Sequence, residues 1–530
     1  MNGFALRFAA RVTAVVSLSS LGLVPACGSN GNGNGNGNGA DGGPGDGGTG
    51  DGGTDTPPGV DGSTGSDGGP ASDFGGVFRH GMNGGHINPN FTDNVDGWLG
   101  AQAGADSNRI KLPEFFLQQW GVGVRTDAAQ SYITNGMSNL VCFLIGPAAA
   151  HSTSPSANSL EAYIPKNLYE PIFAGDGSVN ANNYWAKYVE ETVTTYKLWV
   201  RIWEVWNEPD WVADYTTTQK WTTQAPTVAD LPRFNGSIFD YVRMLRITTV
   251  VAKKVDPTAQ IALGGIGYSS FLSAILRYTD NPAGGAVSGD YPRKGDAYFD
   301  VLNFHYYPLY TPGNSDAAVA GLLALKHDMG KELTLANVTG KSYNATETGA
   351  PRFALGTSPG GVDYAKNYIL KAMVLAHVDG MIGLDWFVLA DGAKVSMSQD
   401  PYSYMGLYEN TTGLTDQSAA VKAPTGIAYA TLGKLLKGAK VDRTKTVALA
   451  LPAAVAGGAF QTTGGKTIVV LWAKTASGES GTATYDVSAA GPVVAHAWDF
   501  SQTGTTSTII PANGKAALSL TSTPQLFEVP

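Results

Sequence analysis

Cysteine is nearly absent: the 530 residues contain two, Cys27 and Cys142. That is too few for the disulfide framework of a small extracellular scaffold. Charge is also sparse, at 15% of residues against 43% hydrophobic, and the net charge is −9 rather than positive. Arg7 and Arg11 precede Cys27, seven aspartates lie between residues 28 and 73, and the rest of the chain carries only −4. No basic face of the kind a nucleic-acid binder needs can come from that balance. Paired cysteines at ligand spacing and a His-Glu-x-x-His segment are missing, so no metal signature is present, and no glycine-rich loop opens a helix to cradle phosphate. The apolar stretch Val12 to Leu23 is too short to cross a bilayer.

What the first residues do contain is the pattern of an export signal: two arginines, then that apolar stretch, then Val24-Pro25-Ala26-Cys27. The last four resemble a bacterial lipobox, which implies lipidation at Cys27 and an exported protein tied to the cell envelope; ordinary secretion is the alternative. With Cys27 lipidated no intramolecular disulfide is possible, and Cys142, inside an apolar run, is expected to be a small buried hydrophobe. Residues 28–75 are mostly Gly, Asn, Asp, Ser, Thr and Pro. They cannot bury a core, and a coil of this kind would reach roughly 35–40 Å, a tether.

From Val77 short apolar runs alternate with helical patterns, the reading of a parallel α/β fold. Strands are expected to begin near Val77, Val122, Leu140, Ile202, Ile261, Val301, Tyr343 and Ile382, with helices over Tyr184–Leu198, Phe239–Lys254, Ala317–Leu333, Tyr364–Val378 and Gly426–Leu436. Eight such units close a (β/α)8 barrel over residues 76–438. Residues 439–530 change texture to short alternating runs separated by Gly, Ser, Asn and Pro, which predicts an all-β sandwich. Gly356-Thr357-Ser358-Pro359-Gly360 matches a nucleophile-elbow pattern but is expected to be only a loop, because proline cannot supply the backbone N–H that such an elbow uses.

The most informative stretch is Ile202-Trp203-Glu204-Val205-Trp206-Asn207-Glu208-Pro209, an apolar run ending in Asn-Glu-Pro after the fourth expected strand. A second carboxylate stands after the seventh, in Asn344-Ala345-Thr346-Glu347-Thr348-Gly349. Cleaving a glycosidic bond with retention needs one carboxylic acid and one carboxylate about 5–5.5 Å apart, and a barrel brings distant strand ends to one cleft. Glu204, deeper on the same strand, is expected to be a hydrogen-bonded interior residue.

On these motifs the chain resembles glycoside hydrolase clan A, the retaining β-glycosidases, with a texture similar to families 39 and 5; the C-terminal part is similar to the sandwich of families 30, 39 and 51. The resemblance implies Glu208 as acid/base, Glu347 as nucleophile and Asn207 as the amide that binds the sugar 2-hydroxyl. It also implies His305 and Tyr307 of His305-Tyr306-Tyr307 around the nucleophile, Arg125 as the arginine keeping that nucleophile ionised, and Trp386 as the aromatic floor under the sugar. The expected substrate is a polysaccharide or oligosaccharide of the glucan, xylan or mannan class, with no cofactor. His80 and His86 are expected to line the same end, His151 is a weaker candidate, and Tyr402, Tyr404 and Tyr408 are candidates for outer subsites. The pattern departs from the clan after the third strand, where Phe143-Leu144-Ile145-Gly146-Pro147 leads into a long insertion and no histidine follows directly. A non-catalytic sugar-binding surface protein on the same barrel is the competing reading; losing either glutamate would favour it.

Overall fold

The computed structural model describes residues 77–84, 88, 90–138, 140–310 and 313–530. Residues 1–27, where an export signal ending at Cys27 is expected, the Gly-rich residues 28–75 and His86 lie outside them. Eight parallel strands close a barrel in sequence order: β1 (Arg79–Met82), β2 (Ser107–Lys111), β3 (Leu140–Leu144), β4 (Val200–Val205), β5 (Gln260–Leu263), β6 (Val301–Tyr306), β7 (Ser342–Thr348) and β8 (Gly383–Trp386). β8 pairs back to β1, with Met82 opposite Trp386. Helices Tyr184–Tyr196, Ile238–Val255, Ser315–Leu335, Val362–Val378 and Pro424–Leu436 fall where apolar periodicity placed them. The helix Ile238–Val255 shows why such boundaries are readable: Ser237 and Asp240 form a reciprocal capping box at its start, and Lys253 and Lys254 sit in its last turn, at the negative end of the dipole.

The second strand corrects the sequence reading. It is Ser107–Lys111, whereas Val122–Arg125 lies between the helices Glu114–Trp120 and Thr126–Thr134. The strand was hidden by its composition, since Ser-Asn-Arg-Ile-Lys has one apolar residue yet its first four positions are buried. Asn108 and Ile110 are covered by the surrounding helices, Asn108 bonding Tyr132, while Ser107 and Arg109 face a barrel interior that is polar through most of its depth. Val141, Ile202, Ala262 and Val301 form one small apolar cluster inside it. Further along the strands Arg79, Asn344, Asn303, Glu204, Arg109 and Asp385 take over, all buried. Burial pushes the Asp385 carboxyl up to about 7, against the opposing pull of Arg79 and Arg109.

After the last barrel helix come two antiparallel sheets. Six strands lie in one, in the order β14 (Thr506–Ile509), β13 (Val493–His496), β16 (Gln525–Val529), β11 (Thr467–Ala473), β10 (Val455–Gln461) and β9 (Lys440–Val441); β12 (Thr482–Ser488) pairs with β15 (Lys515–Thr521). Their shared core includes Val469, Leu471, Leu518, Leu520 and Phe527. β10 and β16 had no counterpart in the sequence reading. Trp472 and Trp498 both turn toward the barrel. The Trp472 indole donates to Asp316 at 2.9 Å, and Lys366 lies 4.5 Å over Trp498. Cys142 is free and buried, as an apolar filler should be.

Candidate active site

The chain leaves β4 through a contorted turn. Trp206 and Glu208 have φ of 74° and 47°, the left-handed region that side chains with a Cβ avoid. Three contacts hold the turn: the Trp206 indole donates to the Arg233 carbonyl at 3.0 Å, the Glu208 N–H to the Gly264 carbonyl at 2.6 Å, and Asp210 accepts from the Gly267 and Tyr268 N–H groups at 2.8 and 2.9 Å. Burial pushes the Asp210 carboxyl up to about 7 despite those two donors. The turn swings Asn207 and Glu208 over the barrel mouth, while Glu204 stays below, fully buried.

β7 delivers its carboxylate by a different device. Phe304 pairs with Ala345 but His305 pairs with Glu347, so Thr346 is an extra residue against β6. That bulge breaks the alternation of facing, and consecutive side chains both point inward. The Thr346 hydroxyl receives the Asn303 amide at 2.7 Å and lies 3.3 Å from Glu204 and 3.1 Å from His305 Nε2, while Glu347 reaches the cleft.

Four groups converge on the two carboxylates. Arg109 Nη1 donates to Glu347 Oε1 at 2.5 Å and Tyr307 Oη donates to Glu347 Oε2 at 2.6 Å. His305 Nδ1 lies 3.1 Å from Glu208 Oε1 and 3.7 Å from Glu347 Oε2, bridging the pair. Arg233 Nη1 donates to the other Glu208 oxygen at 2.6 Å. Burial alone would raise the Glu347 pKa, but His305, Arg109 and Tyr307 outweigh it and hold the carboxyl below its usual range. For His305 burial favours the neutral ring, and Glu347 and Glu208 more than offset it, so its pKa is raised. Arg109 is itself gripped along one edge by Glu204, through Nε and Nη2 at 2.8 Å each, lies 4.1 Å from the Phe143 ring, and donates to Asn207 Oδ1 at 2.7 Å. With its oxygen so occupied, the Asn207 amide presents N–H donors to whatever enters the cleft.

One glycine is sterically required here. Gly265 has φ of 62°, and a Cβ on it would lie 2.0 Å from His305 Nε2. The loop after β5 therefore comes close enough to clamp the imidazole from behind only with hydrogen in that place.

The structure thus brings together Glu208, Glu347, Asn207, His305 and Tyr307, and leaves out two residues assigned by resemblance. Arg125 begins the helix Thr126–Thr134 and pairs with Asp93 at 2.7 Å, both about a quarter exposed. It is not at a strand end, and Arg109 occupies the position against Glu347 that Arg125 was expected to fill. Trp386 is fully buried behind the barrel wall, next to Tyr368 of the helix Val362–Val378, with its indole donating to the Met405 carbonyl at 2.7 Å. Strand alternation explains this: Asp385 points into the barrel, so Trp386 must point out. Phe387, one residue later, is only partly buried and packs edge-on against Tyr307 and Tyr402.

His80 points out of the barrel against Phe78 and Tyr429. His151 pairs with Glu114 at 2.6 Å and stacks on Tyr184. Tyr404 and Tyr408 are buried, and their hydroxyls are taken by Ser398 and by the Leu99 carbonyl. Only Tyr402, against Tyr307, is near the cleft. The Gly356–Gly360 stretch is a loop with a turn. Arg109 and Arg233 were missed, the first because its strand was, the second because a lone Leu-Pro-Arg-Phe in a loop carries no signal.

Glu208, His305 and Glu347 each offer a ligand atom, all within 4.8 Å of one another, which is close enough for a metal ion. The two guanidinium groups already on the carboxylates make the set a poor cation site, because they would repel the ion and compete for the same oxygens.

Tyr307→Phe tests this geometry. Burial drives the phenol far above its ordinary range, so Tyr307 always presents a donor. Loss of one hydrogen bond to a charged carboxylate should lower turnover about 10- to 100-fold with the fold intact. Tyr306 is directed at Gly321 on the neighbouring helix, and Tyr306→Phe should change turnover by less than about twofold. Equal losses at both positions in steady-state kinetics would contradict this arrangement.

Neither a protein-family model nor a curated protein matches the sequence. Solved structures do resemble the fold. A family 39 glycoside hydrolase from the gut symbiont Bacteroides cellulosilyticus superposes with a TM-score of 0.54 at 16% identity, over 82% of this chain and 78% of that one. The catalytic domain of a family 30 xylanase from Talaromyces cellulolyticus gives 0.51 at 12%, over 86% and 97%. A family 30 subfamily 8 xylanase from Clostridium acetobutylicum gives 0.51 at 15%, over 86% and 96%. At such identities the likeness concerns the fold, and the fold is a (β/α)8 barrel with a β-sandwich, as in those glycoside hydrolases and consistent with clan A.

Proposed function

We propose that this chain is a retaining β-glycosidase acting on β-linked glycosides or polysaccharides of the glucan, xylan or mannan class, with residues 76–438 as the catalytic unit and 439–530 as its structural support. The observation that carries the reading is the paired carboxylate: an oxygen of Glu208 and one of Glu347 lie within 4.8 Å. Oxygens that close suit the ~5–5.5 Å separation of a retaining pair better than the ~6.5–9.5 Å that leaves room for a water in inverting enzymes. The asymmetry of the pair supports the roles. Glu347, held ionised by two donors and a histidine, attacks the anomeric carbon; Glu208 protonates the departing oxygen and then deprotonates the water that resolves the glycosyl-enzyme. Arg109 orients both the nucleophile and Asn207, whose N–H groups are placed for the 2-hydroxyl. Double displacement of this kind needs no cofactor. A panel of aryl β-glycosides and polysaccharides tests the reading: release of sugar from at least one member is the expected result, and inertness toward the whole panel would refute it.

We also propose that the protein is exported and lipid-anchored at Cys27. Wild type should partition with membranes and Cys27→Ser should be released or left unprocessed. A fully soluble wild type whose mature N-terminus is not residue 27 would rule this out.

A further inference from the structure

Arg233 has no evident place in the chemistry above, and its position is at odds with it. Glu208 must hand a proton to the departing oxygen, yet its Oε2 is already occupied as acceptor of the Arg233 guanidinium at 2.6 Å. Oε1 is engaged by His305, so both oxygens of Glu208 are taken, Oε2 by Arg233. The guanidinium is well placed to change partners. Its backbone is pinned by the Trp206 indole, one of its faces lies 4.4 Å from Trp211, and the side chain is 27% exposed.

Glu347 takes one face of the reacting carbon, so the leaving group must lie on the Glu208 side, where Arg233, stacked on Trp211, reaches Glu208. A neutral sugar there offers the guanidinium nothing that competes with Glu208. A carboxylate does, because it matches the planar donor fork and carries a full charge.

We infer that Arg233 is a specificity-determining residue for a carboxylate-bearing leaving group, such as a uronosyl unit, and that the substrate's carboxylate draws Arg233 off Glu208. Glu208 then takes a proton from solvent and passes it to the glycosidic oxygen as the bond to the anomeric carbon breaks. The inference rests on the glycosidase reading and names the class of substrate on its leaving-group side.

The test uses two aryl glycosides of whichever sugar the protein accepts, one with a 3-carboxyphenyl aglycone and one with its methyl ester. The ester is the better leaving group, so chemistry alone favours it. Wild type should nevertheless prefer the carboxylate about tenfold in kcat/KM, with the preference shrinking as salt is raised. Arg233→Gln, checked for unchanged melting temperature, should lose the preference, and Arg233→Lys should keep part of it. A wild type that cleaves both equally, or an Arg233→Gln that keeps the preference, overturns the inference and leaves the glycosidase reading standing. Failure to cleave either compound, when another aryl glycoside of the same sugar is cleaved, overturns the inference alone, and a protein that accepts no member of the glycoside panel overturns both.

Discussion

Glu208→Ala should abolish cleavage of natural polysaccharide, by about 10²–10⁴-fold or more, while still forming a glycosyl-enzyme from a dinitrophenyl β-glycoside. Such an aglycone leaves without a proton, so the first step survives. The second step then lacks its base, and added azide, which needs none, should restore turnover and yield the β-glycosyl azide. The structure suggests why the loss stays local: Glu208 is held mainly by Arg233 and His305 side chains and by its own N–H to Gly264, and the backbone contact remains in alanine. Glu347→Ala should fail on both substrates, because no group remains to attack, and any rescue by azide should give the inverted α product. Product analysis by NMR separates the cases, and a swapped pattern would exchange the two roles.

Arg109→Met should cost both activity and stability, and the two losses should be separable. Arg109 is buried and is gripped by Glu204, which is also fully buried. Removing the cation strands that carboxylate, a change of about 3–5 kcal/mol, visible as a lower denaturant midpoint. Turnover should fall as well, since Glu347 loses its shortest contact and Asn207 its anchor. Adding Glu204→Gln removes the stranded charge. The double variant should regain most of the stability and none of the activity. If activity returned with stability, Arg109 would be a structural residue only.

These residues also show what the sequence could disclose. Glu208 was legible because Asn-Glu-Pro follows an apolar strand, and Glu347 because a second strand-like run ends on a carboxylate; both signals are local. Arg109 was not, because its strand is polar on a face that in most sheets would be apolar, and periodicity reads burial from apolarity. Eight strands were counted all the same, since Val122 stood in for the strand that was overlooked. Trp386 was misplaced for a related reason. Which of two adjacent residues faces the cleft depends on register, and one step of register exchanges Asp385 for Trp386. The bulge at Thr346 depends on pairing with β6, so no reading of β7 alone could contain it. Arg233 needed the folded loop.

The central claim is that Glu347 is the nucleophile of a retaining reaction, and covalent labelling addresses it most directly. A 2-deoxy-2-fluoro β-glycoside of the accepted sugar, with a dinitrophenyl leaving group, slows both steps but slows breakdown of the intermediate more, so the glycosyl-enzyme accumulates. Peptide mass analysis should then find one fluorosugar, on the peptide containing Glu347, with hydrolysis of an ordinary substrate releasing the β-anomer first. A label on Glu208, or an α-anomer as first product with no label at all, would contradict the account.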